Sequence, residues 1–258
     1  MKKIALCISG YLRTFNECYP SIKENVIQDY DCDIFIHTYD KYRDKPSYHN
    51  LDEYDREKNY DLDMDFLENI SNLKVLYIEK WNDIKHTFYN LSKTLNVNYA
   101  PSVFASPYKI YKCNELKKNY EKENNFIYDL VIRTRGDQIF TKRINFENLK
   151  ENQILINSCP FGDEDRVHNC NSNPDVAKVV LNDRFAAGSS ENIDYLSNLY
   201  NNIGVFTNNE NYLPSPIERL FYLYLEQNNK IILEKRNLKF YVKHSPITNT
   251  CRLCGENF

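Results

Sequence analysis

The residues from Phe126 to Phe140 constrain this chain most. Asp129-Leu130-Val131-Ile132 is a short apolar run, rich in β-branched residues, of the kind that forms a buried strand. It breaks at once into Arg133-Thr134-Arg135-Gly136-Asp137 and turns apolar again at Ile139-Phe140. In an open α/β sheet, residues just beyond the carboxyl end of a central strand line the ligand crevice. Alternation along an extended chain places Arg133 and Arg135 on one side, and Gly136 permits a bend before Asp137. Guanidinium forks suit a diphosphate, and a hard carboxylate suits Mg²⁺ or Mn²⁺ bridging it. The plainer reading is that Arg135 and Asp137 simply pair with each other at a strand end.

The start of the chain sets the fold class. Lys3 to Ile8 reads as an apolar strand, and Ser9-Gly10-Tyr11-Leu12-Arg13 as the turn after it, where α/β folds bring backbone N–H groups toward a phosphate. This turn is not a G-x-G-x-x-G element, so a dinucleotide site has no direct support. Asn16 to about Tyr30 has helical spacing, and Asp33 to Thr38 is a second apolar strand ending in Tyr39-Asp40. Strand, helix, strand predicts a βαβ unit and a mostly parallel sheet flanked by helices. His37 reads as a hydrogen-bonded histidine at a strand end in preference to a catalytic one.

Further along, residues 41–65 read as a polar loop, Leu73 to Ile78 as a third strand and Phe88 to Leu95 as a short helix. A long helix opens at Pro107, with Ser106 as its N-cap, and runs to about Glu123. Lys109 and Lys112 share a face that is ordinarily solvated; because this helix leads into the central strand, Lys112 is a candidate contact for an anionic ligand. Strands are predicted at Gln153 to Ile156, Val176 to Leu181, Ile231 to Leu233 and Phe240 to Val242. Helices are predicted from Glu191 to about Asn201, capped by Ser189 or Ser190, and from about Ile217 through Leu225.

Composition narrows the function. A net charge of −3 argues against a nucleic-acid partner, whose binding domains carry a basic excess. No apolar run approaches the roughly 20 residues that span a bilayer, and Met1 to Ile8 lacks a cleavage site; the pattern implies no transmembrane segment and leaves peripheral membrane contact open. Eight cysteines without a secretory signal suggest free thiols and a cytoplasmic location. Cys251 and Cys254 form a C-x-x-C pair, with Cys159 and Cys170 further back; zinc and free thiols are both open readings.

Five segments occur in order: Lys3 to Arg13, Asp33 to Thr38, Tyr108 to Leu116, Tyr128-Asp-Leu-Val-Ile-Arg-Thr-Arg-Gly-Asp137, and Asp183-Arg-Phe-Ala-Ala-Gly188. Together they resemble a group of nucleotide-sugar glycosyltransferases of bacteria and large DNA viruses, related to the GT-A type. The resemblance implies one GT-A-like, Rossmann-like α/β domain over residues 1–258. Residues 1–140 would be its nucleotide-binding half, and residues 141–258 its acceptor-side half and C-terminal tail. It also implies transfer of a sugar from a nucleoside-diphosphate donor to a glycan or lipid-linked acceptor. Donor contacts map to Ser9, Gly10 and Arg13 and to Thr38, Tyr39 and Asp40; Lys112, Arg133 and Arg135 join them from the reading of the residues themselves. The family's acidic metal motif, usually Asp-x-Asp, stands here as Arg135-Gly136-Asp137. Asp137 is thus the metal candidate for Mn²⁺ or Mg²⁺, with His244 as a late ligand or a surface histidine. Glu218 and Asp183 are the candidate carboxylates for deprotonating an acceptor, with Asp183 alternatively orienting the donor sugar and Glu218 alternatively stabilising a helix start. The rivals are a non-catalytic carbohydrate-binding module and another phosphate-handling α/β transferase, such as a nucleotidyltransferase or sulfotransferase.

Overall fold

A computed structural model describes residues 2–43, 57–59, 62–94, 102–157, 183–207, 217–236, 238 and 240–242. Its centre is a seven-stranded sheet. In chain order the strands of this sheet are β1 (Ile4–Ser9), β2 (Cys32–Tyr39), β5 (Leu73–Glu79), β6 (Leu130–Thr134), β8 (Gln153–Asn157), β9 (Phe185–Gly188) and β10 (Ile232–Arg236). In space they lie in the order β5-β2-β1-β6-β9-β8-β10. All run the same way except β9, which is antiparallel to both β6 and β8. Two small antiparallel pairs sit outside this sheet: β3 (Lys41–Arg43) with β4 (Glu57–Asn59), and β7 (Gln138–Phe140) with β11 (Phe240–Val242).

Period-two alternation sorts each strand onto two cores. Ala5 and Cys7 of β1, Phe35 of β2 and Val131 of β6 face one layer, while Ile4, Leu6, Ile8, Ile34, Ile36, Leu130 and Ile132 face the other. Helices α1 (Phe15–Ile22) and α2 (Met64–Glu68) cover the second face through Phe15, Ile22 and Leu67. The first face carries α3 (Trp81–Thr94), α4 (Ser102–Glu123), α5 (Ser190–Ser197), α6 (Leu199–Thr207) and α7 (Ile217–Glu226). Buried on both faces, the strands read as continuous apolar runs rather than alternating ones.

The order of strands fixes where a ligand can bind. The chain steps outward from β1 to β2 to β5, then returns to place β6 on the opposite flank of β1. Its connecting helices change face at the same point. The boundary between β1 and β6 is therefore the topological switch point, where open α/β sheets leave a crevice outside the carboxyl ends of the strands.

Several predicted boundaries move. Helix α4 begins at Ser102, so Pro107 and Ser106 lie inside it rather than at its start. A proline there forfeits one backbone donor, but burial of Phe104, Ala105, Ile110 and Cys113 carries the helix through it. Helix α3 is longer than predicted and starts at Trp81. The polar stretch after β2 contains β3, β4 and α2. The predicted helix after Ser189 is two helices, α5 and α6, and Ser189 is the cap, its Oγ accepting from the Asn192 amide at 3.3 Å. The predicted strand at Val176 to Leu181 lies outside the described residues. Among those described, no helix is long and apolar enough to cross a membrane.

Candidate functional site

Strand β1 ends at Ser9, and the backbone turns at Gly10 with φ +129°, a conformation that side-chain-bearing residues rarely adopt. The Gly10 amide donates to the His37 carbonyl at 3.1 Å, so it closes the strand end instead of pointing at a ligand. The turn returns through Tyr11 and Arg13. Arg13 Nη2 reaches Asp137 Oδ2 at 3.5 Å across the switch point.

Beyond β6 the backbone is no longer extended, so the two arginines part. Arg133 stays on the α4 side of the sheet, 3% exposed, and its Nη1 donates to the backbone carbonyl of Asp183. Arg135 folds onto Asp137, Nε to Oδ1 at 2.9 Å and Nη2 to Oδ2 at 2.6 Å. Asp137, 1% exposed, is thus clamped by Arg135 and Arg13. Gly136 lets this turn sit on the β1 loop: a Cβ there would lie 2.8 Å from Leu12 Cδ2.

Helix α4 closes the cluster from above. Ser106 Oγ donates to Asp183 Oδ2 at 2.8 Å. One turn on, Lys109 holds its ammonium 4.6 Å from the centre of the Tyr11 ring and 5.6 Å from that of Tyr39. Burial, together with the positive field of Arg135 and against the pull of Asp137 and Asp183, brings the Lys109 ammonium down to about 7. Burial alone would raise the Asp183 carboxyl, but Arg133, Arg135 and the Ser106 hydrogen bond outweigh it and hold Asp183 below the usual carboxylate range. Burial also lowers the Arg133 guanidinium to about 10, which leaves it charged at neutral pH. With Lys109 protonated, four cations (Arg13, Lys109, Arg133, Arg135) face two carboxylates (Asp137, Asp183). Arg13 Nε, Arg133 Nε and the Ser9 hydroxyl are buried without a hydrogen-bond partner among the described residues. Buried donors of this kind are costly unless something accepts from them.

The sequence of residues 1–190 matches the model of a family described as a domain of unknown function (DUF7796). The chain belongs to this family. No curated protein matches it. The DUF7796 match takes in every group of the strand-end cluster and stops short of Glu218 and His244.

The other predicted positions divide. His37 is buried and hydrogen-bonded as predicted, its Nε2 3.1 Å from Glu79 Oε2, with Tyr108 Oη donating to Glu79 Oε1 at 2.8 Å. Burial lowers the His37 imidazole despite the Glu79 partner, and the same two hydrogen bonds overcome burial to lower Glu79. Tyr39 is buried against Tyr11, Trp81 and His37. Asp40 Oδ1 accepts from the Trp81 amide at 2.8 Å and so caps α3. Thr38 is fully buried. Lys112 holds its Nζ 6.0 Å from the Tyr108 ring centre. Glu218 belongs to α7, but its side chain lies outside the description, as do His244, Cys159, Cys170, Cys251 and Cys254. Sequence reading placed Lys109 on the solvated face and Ser106 at a cap, whereas both turn into the site. Their i, i+3 spacing is the signal that links them.

A cleft of about 360 Å³ between α4 and α5 is lined by Tyr111, Asn114, Glu115, Asp194 and Tyr195, among others. Beside it, the buried Lys117 is fully matched by Glu121, Ser190 and Asp194. Excess positive charge is a property of the strand-end cluster and not of this cleft.

Proposed function

We propose that this DUF7796 protein is a GT-A-like glycosyltransferase. It would bind a nucleoside-diphosphate sugar beyond the carboxyl ends of β1 and β6 and pass the sugar to a glycan or lipid-linked acceptor. One observation carries the reading: cationic groups outnumber carboxylates at the switch point of the sheet, with buried arginine donors that lack an acceptor among the described residues. A diphosphate supplies both the negative charge and the acceptor atoms. The mostly parallel sheet with helices on both faces supports the same reading at the level of fold.

In this reading Arg13 and Arg133 donate to the diphosphate and stabilise it as it departs. Arg135 and Asp137 position Arg13. Asp183 is ionised and already accepts from Ser106. A carboxylate so strongly ionised is a weak base but a good acceptor for a sugar hydroxyl, so Asp183 orients the donor and Glu218 is the group assigned to deprotonate the acceptor. Mn²⁺ or Mg²⁺ fits poorly at Asp137, because guanidiniums already take both of its oxygens and the surroundings are net positive. The charge work is therefore assigned to the arginines.

The test is a thermal-shift panel of nucleoside diphosphates and their sugars, each with and without Mn²⁺, followed by an assay for released nucleotide. A ligand that binds only the folded state raises the melting temperature. Selective stabilisation by one nucleoside diphosphate without metal, and nucleotide release from its sugar, is the expected result. Stabilisation by glycans alone, with no nucleotide released, would replace the transferase by a carbohydrate-binding module.

A further inference from the structure

Two lysines of α4, Lys117 fully buried and Lys109 half-buried, meet their surroundings in different ways. Lys117, 0% exposed, has three oxygen partners within 3.0 Å and is a structural residue. Lys109, about two turns earlier, has none: among the described residues its ammonium meets only the faces of Tyr11 and Tyr39. Its three N–H donors are therefore uncommitted in a site that already holds Arg13, Arg133 and Arg135. Ring faces attract a cation without consuming its hydrogen-bonding capacity. This is a resting place rather than a final partner.

We propose that Lys109 is a ligand-binding residue of the strand-end site, its ammonium moving from the Tyr11 ring onto the diphosphate of the donor. The proposal rests on the glycosyltransferase reading and deepens it. Its consequence is a proton count. The groups that face Lys109 are Arg13 and Tyr11 from the β1 loop, His37 and Tyr39 from β2, Arg135 and Asp137 from the turn after β6, and Asp183 just before β9. Two of these, Arg13 and Arg135, are permanent cations, and they disfavour a third until an anion arrives. Burial and this field bring Lys109 to about 7 in the free protein, so at pH 8 it is mostly neutral. A bound diphosphate reverses the field, and the amine takes one proton from solvent as ligand binds.

Isothermal titration of the full chain with UDP, GDP and inorganic pyrophosphate, in buffers of different ionisation enthalpy, counts that proton. The wild type should take up close to one proton per UDP or GDP at pH 8, where the nucleotide phosphates are already fully ionised. Lys109→Met should weaken binding roughly 10- to 100-fold, the effect of one charge-assisted contact, and take up none. Lys109→Arg keeps the charge but cannot lose it, so it should bind within a few fold of wild type with no proton uptake. The Met variant should also melt no lower than wild type at pH 7, which separates lost binding from lost folding. Wild-type affinity in Lys109→Met, or proton uptake persisting in Lys109→Arg, would overturn the role of Lys109 and leave the strand-end reading standing. Failure of all three ligands to bind the wild type would overturn both.

Discussion

Asp137→Asn separates the two roles open to this carboxylate. The substitution keeps the shape of the side chain and removes its charge. Three guanidinium contacts lose their anion: Arg135 at 2.9 and 2.6 Å and Arg13 at 3.5 Å. Breaking a fully buried pair by removing one partner costs about 3–5 kcal/mol. Here the arginine side chains are 29% and 17% exposed, so water screens part of the loss. The substitution should therefore cost about 2–3 kcal/mol, which for a chain of this size lowers the melting temperature by roughly 4–12 °C. The assay is a thermal melt in chelator-treated buffer, repeated with Mn²⁺ and with pyrophosphate. The expected pattern is a destabilised variant in the absence of metal, little response of either protein to Mn²⁺, and a larger pyrophosphate shift in the variant, because its site is one charge more positive. If Asp137 is instead a metal ligand, the wild type should be stabilised by Mn²⁺ and the variant should not, with equal melting temperatures before metal is added. That second pattern would refute the clamp.

Two further expectations concern the scaffold. His37 is lowered by burial, so the folded state holds it neutral while the unfolded chain protonates it below about 6.5. Stability from this group is full above that pH and is lost as pH falls toward its depressed folded value, with Glu79 adding to the decline at lower pH. Thermal melts from pH 8 to pH 5 should show this decline in the wild type and a flatter one in His37→Gln; parallel curves would remove His37 as the cause. Gly136→Ala should cost about 1–3 kcal/mol by urea unfolding, because its Cβ would meet Leu12 Cδ2 at 2.8 Å and Phe15 Cδ2 at 3.3 Å. An unchanged midpoint would mean that the β1 loop yields freely.

Much of this architecture is legible in the sequence because its strands are buried on both sides. The runs at Ile4 to Ile8, Ile34 to Ile36 and Leu130 to Ile132 need no partner to be recognised, and the turn at Arg133 to Asp137 marks the site by its abrupt charge. What stays hidden depends on tertiary contact. Pro107 is a sound start signal, yet packing of Phe104 and Ala105 extends the helix back to Ser102, and that shift turns Ser106 from a cap into a partner of Asp183. Lys109 looks solvated by composition, because nothing in its neighbourhood along the chain announces Tyr11, Tyr39 or Arg135. The bond between His37 and Glu79 joins residues on adjacent strands that no local pattern connects. Gly136 is small less for the freedom of its own backbone than for the space taken by Leu12.

The reversal of β9 has a consequence for how such a protein can diversify. Strand β8 ends at Asn157 on the same edge of the sheet where β9 begins at Phe185, since the two run in opposite directions. The described chain therefore leaves the sheet at Asn157 and re-enters it after Asp183 at the same edge. A parallel strand would need a crossover long enough to return the chain to the far edge. An antiparallel one imposes no minimum. The length of chain between Asn157 and Asp183 can therefore change while the seven-stranded register stays intact, because both ends lie at the edge that carries the strand-end cluster.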